Sequence, residues 1–200
     1  MDIQAYFGKD YNEYTIGKIT NIAKNSPLTL ASGRKIQDFP VAYQTYGKLN
    51  KEKTNAILIF HPLTADQYVA STNPITGKPG WWEFMIGKGK TLDTNKYFII
   101  CANSLGGCVG SFGPKSLNQK TNEAFNTTFP IITIGDMVKA QRALITEYFK
   151  IEKLFAIIGG SMGGMLALEW ASKYPESVEC IIPIATAARH TAQNIAFHEV

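Results

Sequence analysis

The sequence predicts an α/β protein, a mostly parallel sheet with flanking helices, and three observations carry that reading. Four short apolar runs recur along the chain, AILIFH at 56–61, YFIICA at 97–102, LFAII at 154–158 and CIIPIA at 180–185. Their length suits strands buried on both faces. Helical periodicity lies between them, clearest over 136–150, where Met137, Ala140, Leu144, Ile145 and Tyr148 share one face. The third observation is the glycine-rich GGSMG at 159–163, which joins the third apolar run to a further helical pattern. Buried strands alternating with helices imply a sheet covered on both sides, and such sheets collect ligands beyond the carboxyl ends of their strands.

Taken in order, residues 1–27 read as an N-terminal arm, polar and aromatic without a clear period up to about Lys24. Residues 28–200 read as one unit, with no repeat and no linker that would divide it. Segments 28–30 and 41–46 look like early strands separated by the turn Ala31-Ser32-Gly33-Arg34, and the alternation in VAYQTYG suggests an antiparallel, half-exposed pair. Asp136 is the natural N-cap of the helix that follows it.

The composition is that of an ordinary globular protein, with 45% hydrophobic and 18% charged residues in 200. A net charge of +4 is spread in short lysine-containing pieces without an arginine-rich run, which argues against nucleic-acid binding. Cys101, Cys108 and Cys180 are odd in number, lack C-x-x-C spacing and sit in or beside apolar runs. They are expected to be reduced, partly buried and free of metal, as in a cytoplasm. The first residues lack the basic start and apolar core of a signal peptide, and no apolar run is long enough for a bilayer. A cytoplasmic location with no membrane partner is the expectation.

Gly159-Gly160-Ser161-Met162-Gly163 matches G-x-S-x-G in a strand–turn–helix context, the pattern of a nucleophile elbow. A serine on so sharp a turn adopts a strained backbone that neighbouring side chains would obstruct, hence the glycines. At a helix N-terminus, the Met162 amide points toward an anion forming on an acyl group attached to Ser161. A phosphate-cradling turn is the other reading, and it lacks the Lys-Ser/Thr that would follow the glycines. The second oxyanion donor is expected just after the first apolar strand, at His61-Pro62-Leu63-Thr64. Pro62 has no N–H, so the amide of Leu63, or less favourably Thr64, would donate; alternatively His61 and Pro62 merely end the strand.

Three other stretches have chemistry-bearing residues. Trp81 and Trp82 follow a Pro/Gly-rich turn and are either core anchors, the commoner role, or the lining of an acyl tunnel. The glycine-rich segment 103–114 permits close backbone approach to a ligand or to the Ser161 turn, and Cys108 within it reads as a packing residue. His190 and His198 are the histidines after Ser161, where no Asp occurs, and both read as structural or substrate-lining.

HPLTADQYVA at 61–70, TGKPGWW at 76–82, NSLGGCVGSFGP at 103–114, FPIITIGDMVKAQ at 129–141, GGSMGGM at 159–165 and ATAARHTAQNIAFHEV at 185–200 together resemble the homoserine O-acyltransferase family of methionine biosynthesis, an α/β-hydrolase group. The resemblance covers nearly everything from about Leu28 onward. It implies ping-pong acyl transfer from acetyl-CoA, a co-substrate rather than a bound cofactor, to the γ-hydroxyl of L-homoserine. Ser161 would carry the acyl group and the amides of Leu63 and Met162 would form the oxyanion hole. A succinyl donor or a serine acceptor stays open. Ala65 departs from the family's usual Gly, Gly135 from its frequent Arg, and 125–128 from a Gly-containing turn.

The sequence stops at Val200 inside a helical pattern without a stop signal. With the resemblance, this implies a partial α/β-hydrolase domain over 28–200, with the lid, the last strands and the triad's acid and histidine beyond it. Negligible activity of the isolated chain follows, as does an exposed sheet edge at 180–185 that invites association, docking of a complementing C-terminal chain, or a homodimer. A serine esterase of the same fold and a non-catalytic remnant are the competing readings.

Overall fold

The computed structural model describes residues 17–74 and 76–199. Its main sheet has six strands: β1 Lys18–Ile22, β2 Phe39–Tyr46, β3 Ala56–Phe60, β4 Phe98–Ala102, β5 Leu154–Gly160 and β6 Val178–Ile184, in the spatial order β1-β2-β4-β3-β5-β6. The four apolar runs of the sequence form the parallel part, β4 beside β3, β3 beside β5 and β5 beside β6. β2 runs antiparallel to both β1 and β4.

Because successive side chains point to opposite faces of a strand, each central strand feeds two cores. Leu58, Phe60, Ile100 and Ile157 face helices α1 Ile134–Ala143 and α2 Met162–Lys173, packing on Val138, Leu166, Ala167 and Trp170. Trp170 is fully buried and its indole N–H donates to Ser177 Oγ at 2.8 Å, so truncating it to Ala costs about 3–5 kcal/mol. Ile57, Ile59, Ile99, Cys101, Ala156 and Ile158 face the other way, onto Val69, Ile86 and Leu92. That side is covered by the segment between β3 and β4, whose described residues form no helix and pair regularly only at Ile86–Gly87 with Leu92–Asp93.

Several sequence expectations change. Within the expected 1–27 arm, Lys18–Ile22 is a sheet strand, while residues 1–16 lie outside the described residues. Leu28–Thr29 pairs locally with Lys35–Ile36 around the Ala31 to Arg34 turn, and β2 pairs with β1 and β4 instead. β2 is buried from Phe39 to Tyr43, without alternation: Phe39, Val41 and Tyr43 pack into a core with Ala140 and Leu144, and Pro40 and Ala42 are bonded to the 111–112 segment. The helix N-cap is Thr133, with Asp136 completing a capping box three residues later. Finally, β6 is buried only at Val178; as the outermost strand it leaves Cys180 exposed, Ile182 46% exposed and Ile184 40% exposed. Of the cysteines, Cys101 alone is buried.

α1 continues as a π-helical turn, Leu144–Tyr148. The ammonium of Lys53 then donates to the carbonyls of Phe149 and Lys150 at 3.1 and 2.9 Å, occupying acceptors that a helix end leaves open. In the turn at 125–128, Asn126 takes φ +47°, a conformation Asn tolerates far better than most residues.

Candidate active site

Ser161 stands between β5 and α2 at φ +54°, ψ −121°, a strained position for a residue with a side chain, and it is exposed. Its backbone is held on both sides. The Ser161 N–H donates to Ile184 O at 3.0 Å, and the Ser161 carbonyl accepts from the amides of Gly164 at 2.9 Å and Met165 at 3.2 Å and from the Thr186 hydroxyl at 2.8 Å. The motif glycines are sterically required. A Cβ on Gly159 would strike the Gly163 carbonyl, and one on Gly163 would strike the carbonyl of Phe60. A Cβ on Gly160, the variable position, would meet nothing within 4 Å. The first turn of α2 therefore lies directly on the end of β3, as the elbow reading of the sequence requires.

That close approach brings the expected oxyanion loop beside the serine. Phe60 is paired with Gly159 across β3 and β5, so Leu63 lies three residues beyond one member of the pair and Ser161 two beyond the other. Among the described residues neither the Leu63 nor the Met162 amide has a protein acceptor; Met162 is the first residue of α2, where amides have no intrahelical partner. Leu63 is 73% exposed.

His61, 3% exposed, anchors the loop. Its Nε2 accepts the Ser104 amide at 3.0 Å, which leaves Nδ1 to carry the proton and donate to Pro62 O at 2.9 Å. Burial holds its pKa below the ordinary 6.5, against the opposing pull of the Pro62 carbonyl and Asp66. A neutral imidazole with both nitrogens committed is a fastening, and it offers Ser161 no base. Ser104, within the 103–114 segment singled out in the sequence but given no role there, ties the strand end at His61 to the glycine-rich loop after β4.

Trp81 and Trp82 stack at 5.5 Å with planes 18° apart and pack against the second core. The indole of Trp81 donates to Asp66 O at 2.9 Å, so the pair fixes the loop that follows Leu63. Within 103–114, Ser111 accepts from the Ala42 amide at 3.1 Å and donates to Asn103 O at 2.8 Å, securing the loop to β2. Cys108 is exposed. Arg189 and His190 line a cavity of about 350 Å³ with Ile134, Met165, Leu168 and Glu169. His198 belongs to helix α3, Ala192–His198. The hydrogen bonds of His61 go to Ser104 and Pro62 and not to Ser161; among the described residues no three His, Cys, Asp or Glu side chains gather as a metal site would, and no helix is long and apolar enough to cross a membrane. Thr186 was illegible in the sequence, since a threonine in a loop carries no signal of the carbonyl it will meet.

A family model described as the alpha/beta hydrolase fold matches residues 55–197. The homoserine O-acetyltransferase of Mesorhizobium japonicum is 55% identical over 195 residues, covering 96% of this chain and 50% of that protein. The crystal structure of esterase E22 superposes with a TM-score of 0.79 at 34% identity, over 91% of this chain and 50% of the other. That of homoserine O-acetyltransferase from Bacillus anthracis gives 0.78 at 35% identity, over 88% and 48%. The chain spans about half the length of the curated relatives it matches. The strand order, the serine on its turn and the match across 55–197 lead to one conclusion, that this chain belongs to the alpha/beta hydrolase fold family.

Proposed function

We propose that the chain is the N-terminal portion of an acyltransferase of the homoserine O-acetyltransferase type, acting in the cytoplasm in methionine biosynthesis. The observation that carries this reading is an exposed serine at φ +54° beside two amides, of Leu63 and Met162, that have no acceptor among the described residues. The names of the relatives at 55% identity support the choice of acetyl-CoA and L-homoserine. Ser161 Oγ attacks the thioester carbonyl and the amides hold the oxygen that becomes negative, each contributing about 3 kcal/mol to lowering the barrier. The C–S bond then breaks, the CoA thiol leaves with a proton, and the acetyl group stays on Ser161 as an ester. The γ-hydroxyl of homoserine attacks that ester and regenerates the serine. No resident cofactor takes part in this scheme.

The test is peptide-resolved mass spectrometry after incubating the polypeptide that carries this chain with acetyl-CoA. An acetyl group on Ser161, absent from Ser161→Ala and removed faster by L-homoserine than by water, is the expected result; acetylation unaffected by Ser161→Ala refutes the proposal. The 200 residues alone are expected to leave acetyl-CoA intact, since the buried imidazole of His61, with both nitrogens committed, does not take the Ser161 proton. CoA release by them that Ser161→Ala abolishes would refute this part. The likeness to esterase E22 favours a second reading, ester hydrolysis, which gains if water clears the acetyl group as fast as homoserine does.

A further inference from the structure

We infer that Thr186 is a positioning residue for Ser161, holding the nucleophile turn in its strained conformation through the carbonyl of Ser161 itself. The inference rests on the reading of Ser161 as nucleophile.

Three observations converge on Thr186. Its hydroxyl donates to Ser161 O at 2.8 Å, although that carbonyl already accepts the amides of Gly164 and Met165 in the first turn of α2. A third donor there is not needed to satisfy the carbonyl, so its effect is on geometry. Keeping a non-glycine residue at positive φ is costly, and one hydrogen bond offsets a comparable part of that cost.

The second observation is that Ile184 O takes the Ser161 N–H. Both sides of the strained peptide are thus bound by the segment leaving β6. Ala185, between the two anchoring residues, is itself at φ +46°, a conformation alanine rarely adopts. Bending the chain there turns Ile184 O and Thr186 Oγ1 to the same serine.

Third, the Thr186 methyl fills the space over Gly164, where an added Cβ would come within 2.5 Å of Thr186 Cγ2. Both branches of the side chain are therefore in use, the hydroxyl on Ser161 and the methyl on Gly164. These two uses can be separated by substitution, since Thr186→Val keeps the shape without the hydroxyl and Thr186→Ser keeps the hydroxyl without the methyl.

The experiment uses a reporter that requires no general base. In the Ser161→Cys background, iodoacetamide alkylation is followed against pH, with peptide-resolved mass spectrometry separating position 161 from Cys108 and Cys180. A thiol at the N-terminus of α2 is expected to titrate below the ordinary value of about 8.5. Adding Thr186→Val is expected to raise its apparent pKa by about one unit and to slow alkylation at pH 7 about tenfold, whereas Thr186→Ser stays within about twofold. Thr186→Ala, which cannot crowd the turn, carries the same expectation as Thr186→Val and replaces it if that variant fails to fold. Equal profiles with and without the hydroxyl overturn the positioning role, as does impairment by Thr186→Ser alone, which would leave only a packing contact. An ordinary cysteine profile at 161 with Thr186 intact overturns the elbow reading, and this inference with it.

Discussion

His61 Nε2 accepts the Ser104 amide at 3.0 Å while its Nδ1 lies 2.9 Å from Pro62 O, so one imidazole joins the ends of β3 and β4 beneath the Leu63 loop. Replacing it with Gln disturbs the acceptor of a buried amide and is expected to cost about 1–3 kcal/mol. The pH dependence has a definite sign. Burial keeps the folded imidazole neutral where the unfolded chain takes up a proton, so the unfolded state binds more protons below pH about 6.5 and stability falls as the pH drops from there. Thermal unfolding between pH 7.5 and 5 should show this decline, with a shallower slope in His61→Gln. Equal slopes would show that this imidazole is not buried neutral.

Gly163→Ala and Gly160→Ala should behave oppositely despite their proximity. The added methyl at 163 meets the Phe60 carbonyl, and overpacking of this kind costs about 1–3 kcal/mol or more. At 160 it enters open space, and a change within about 0.5 kcal/mol is expected, as for surface substitutions away from special features. Urea unfolding of the two variants checks the contrast, and comparable losses would contradict the close contact of α2 with β3.

Asp136 has a fully buried side chain that accepts from the Ala31 amide at 2.9 Å and the Thr133 hydroxyl at 2.8 Å. Burial by itself would raise its pKa, but the hydroxyl and amide of Thr133, the amide of Ala31 and the ammonium of Lys139 outweigh it and hold the carboxyl below its ordinary 3.8. Its contribution is complete above that value and is lost as the pH falls through the lower folded value. Asp136→Asn should cost about 1–3 kcal/mol at neutral pH and flatten the acid limb of the stability curve. A neutral-pH midpoint matching that of the parent would remove Asp136 from the account of the 31–133 junction.

The thiols offer a simple check on the topology. Cys108 and Cys180 are exposed and should react with an aromatic disulfide reagent in the native protein, while Cys101, buried in the sheet with its pKa pushed well up by desolvation, should wait for unfolding. Rapid native reaction of Cys101 would contradict the placement of β4.

The legibility of these features in the sequence followed their physics. The β5–elbow–α2 unit was readable because both its constraints are local, an apolar run and glycines at the two positions where a Cβ has no room. β1 was not readable, since KITNI is short and partly polar and its pairing with β2 is a tertiary matter. The helix start was misassigned although Thr133-x-x-Asp136 is a capping-box pattern; either residue alone is a plausible cap, and only the reciprocal bonds decide. That β6 would lie at the sheet's edge was expected; that its faces would be exposed was not, since it is as apolar as central β3. The fastenings of the site, Ser104 on His61 and Thr186 on Ser161, join residues 43 and 25 positions apart, and no short-range pattern encodes them.

The attachment of Ser161 to the 184–186 segment has a mechanical corollary. Its amide and its carbonyl are both tethered to the exit of the outermost strand, whose far flank no described strand covers. With Ser161 read as the nucleophile, anything that settles against that flank would bear on the same segment that holds the serine, and so on the tilt of its hydroxyl.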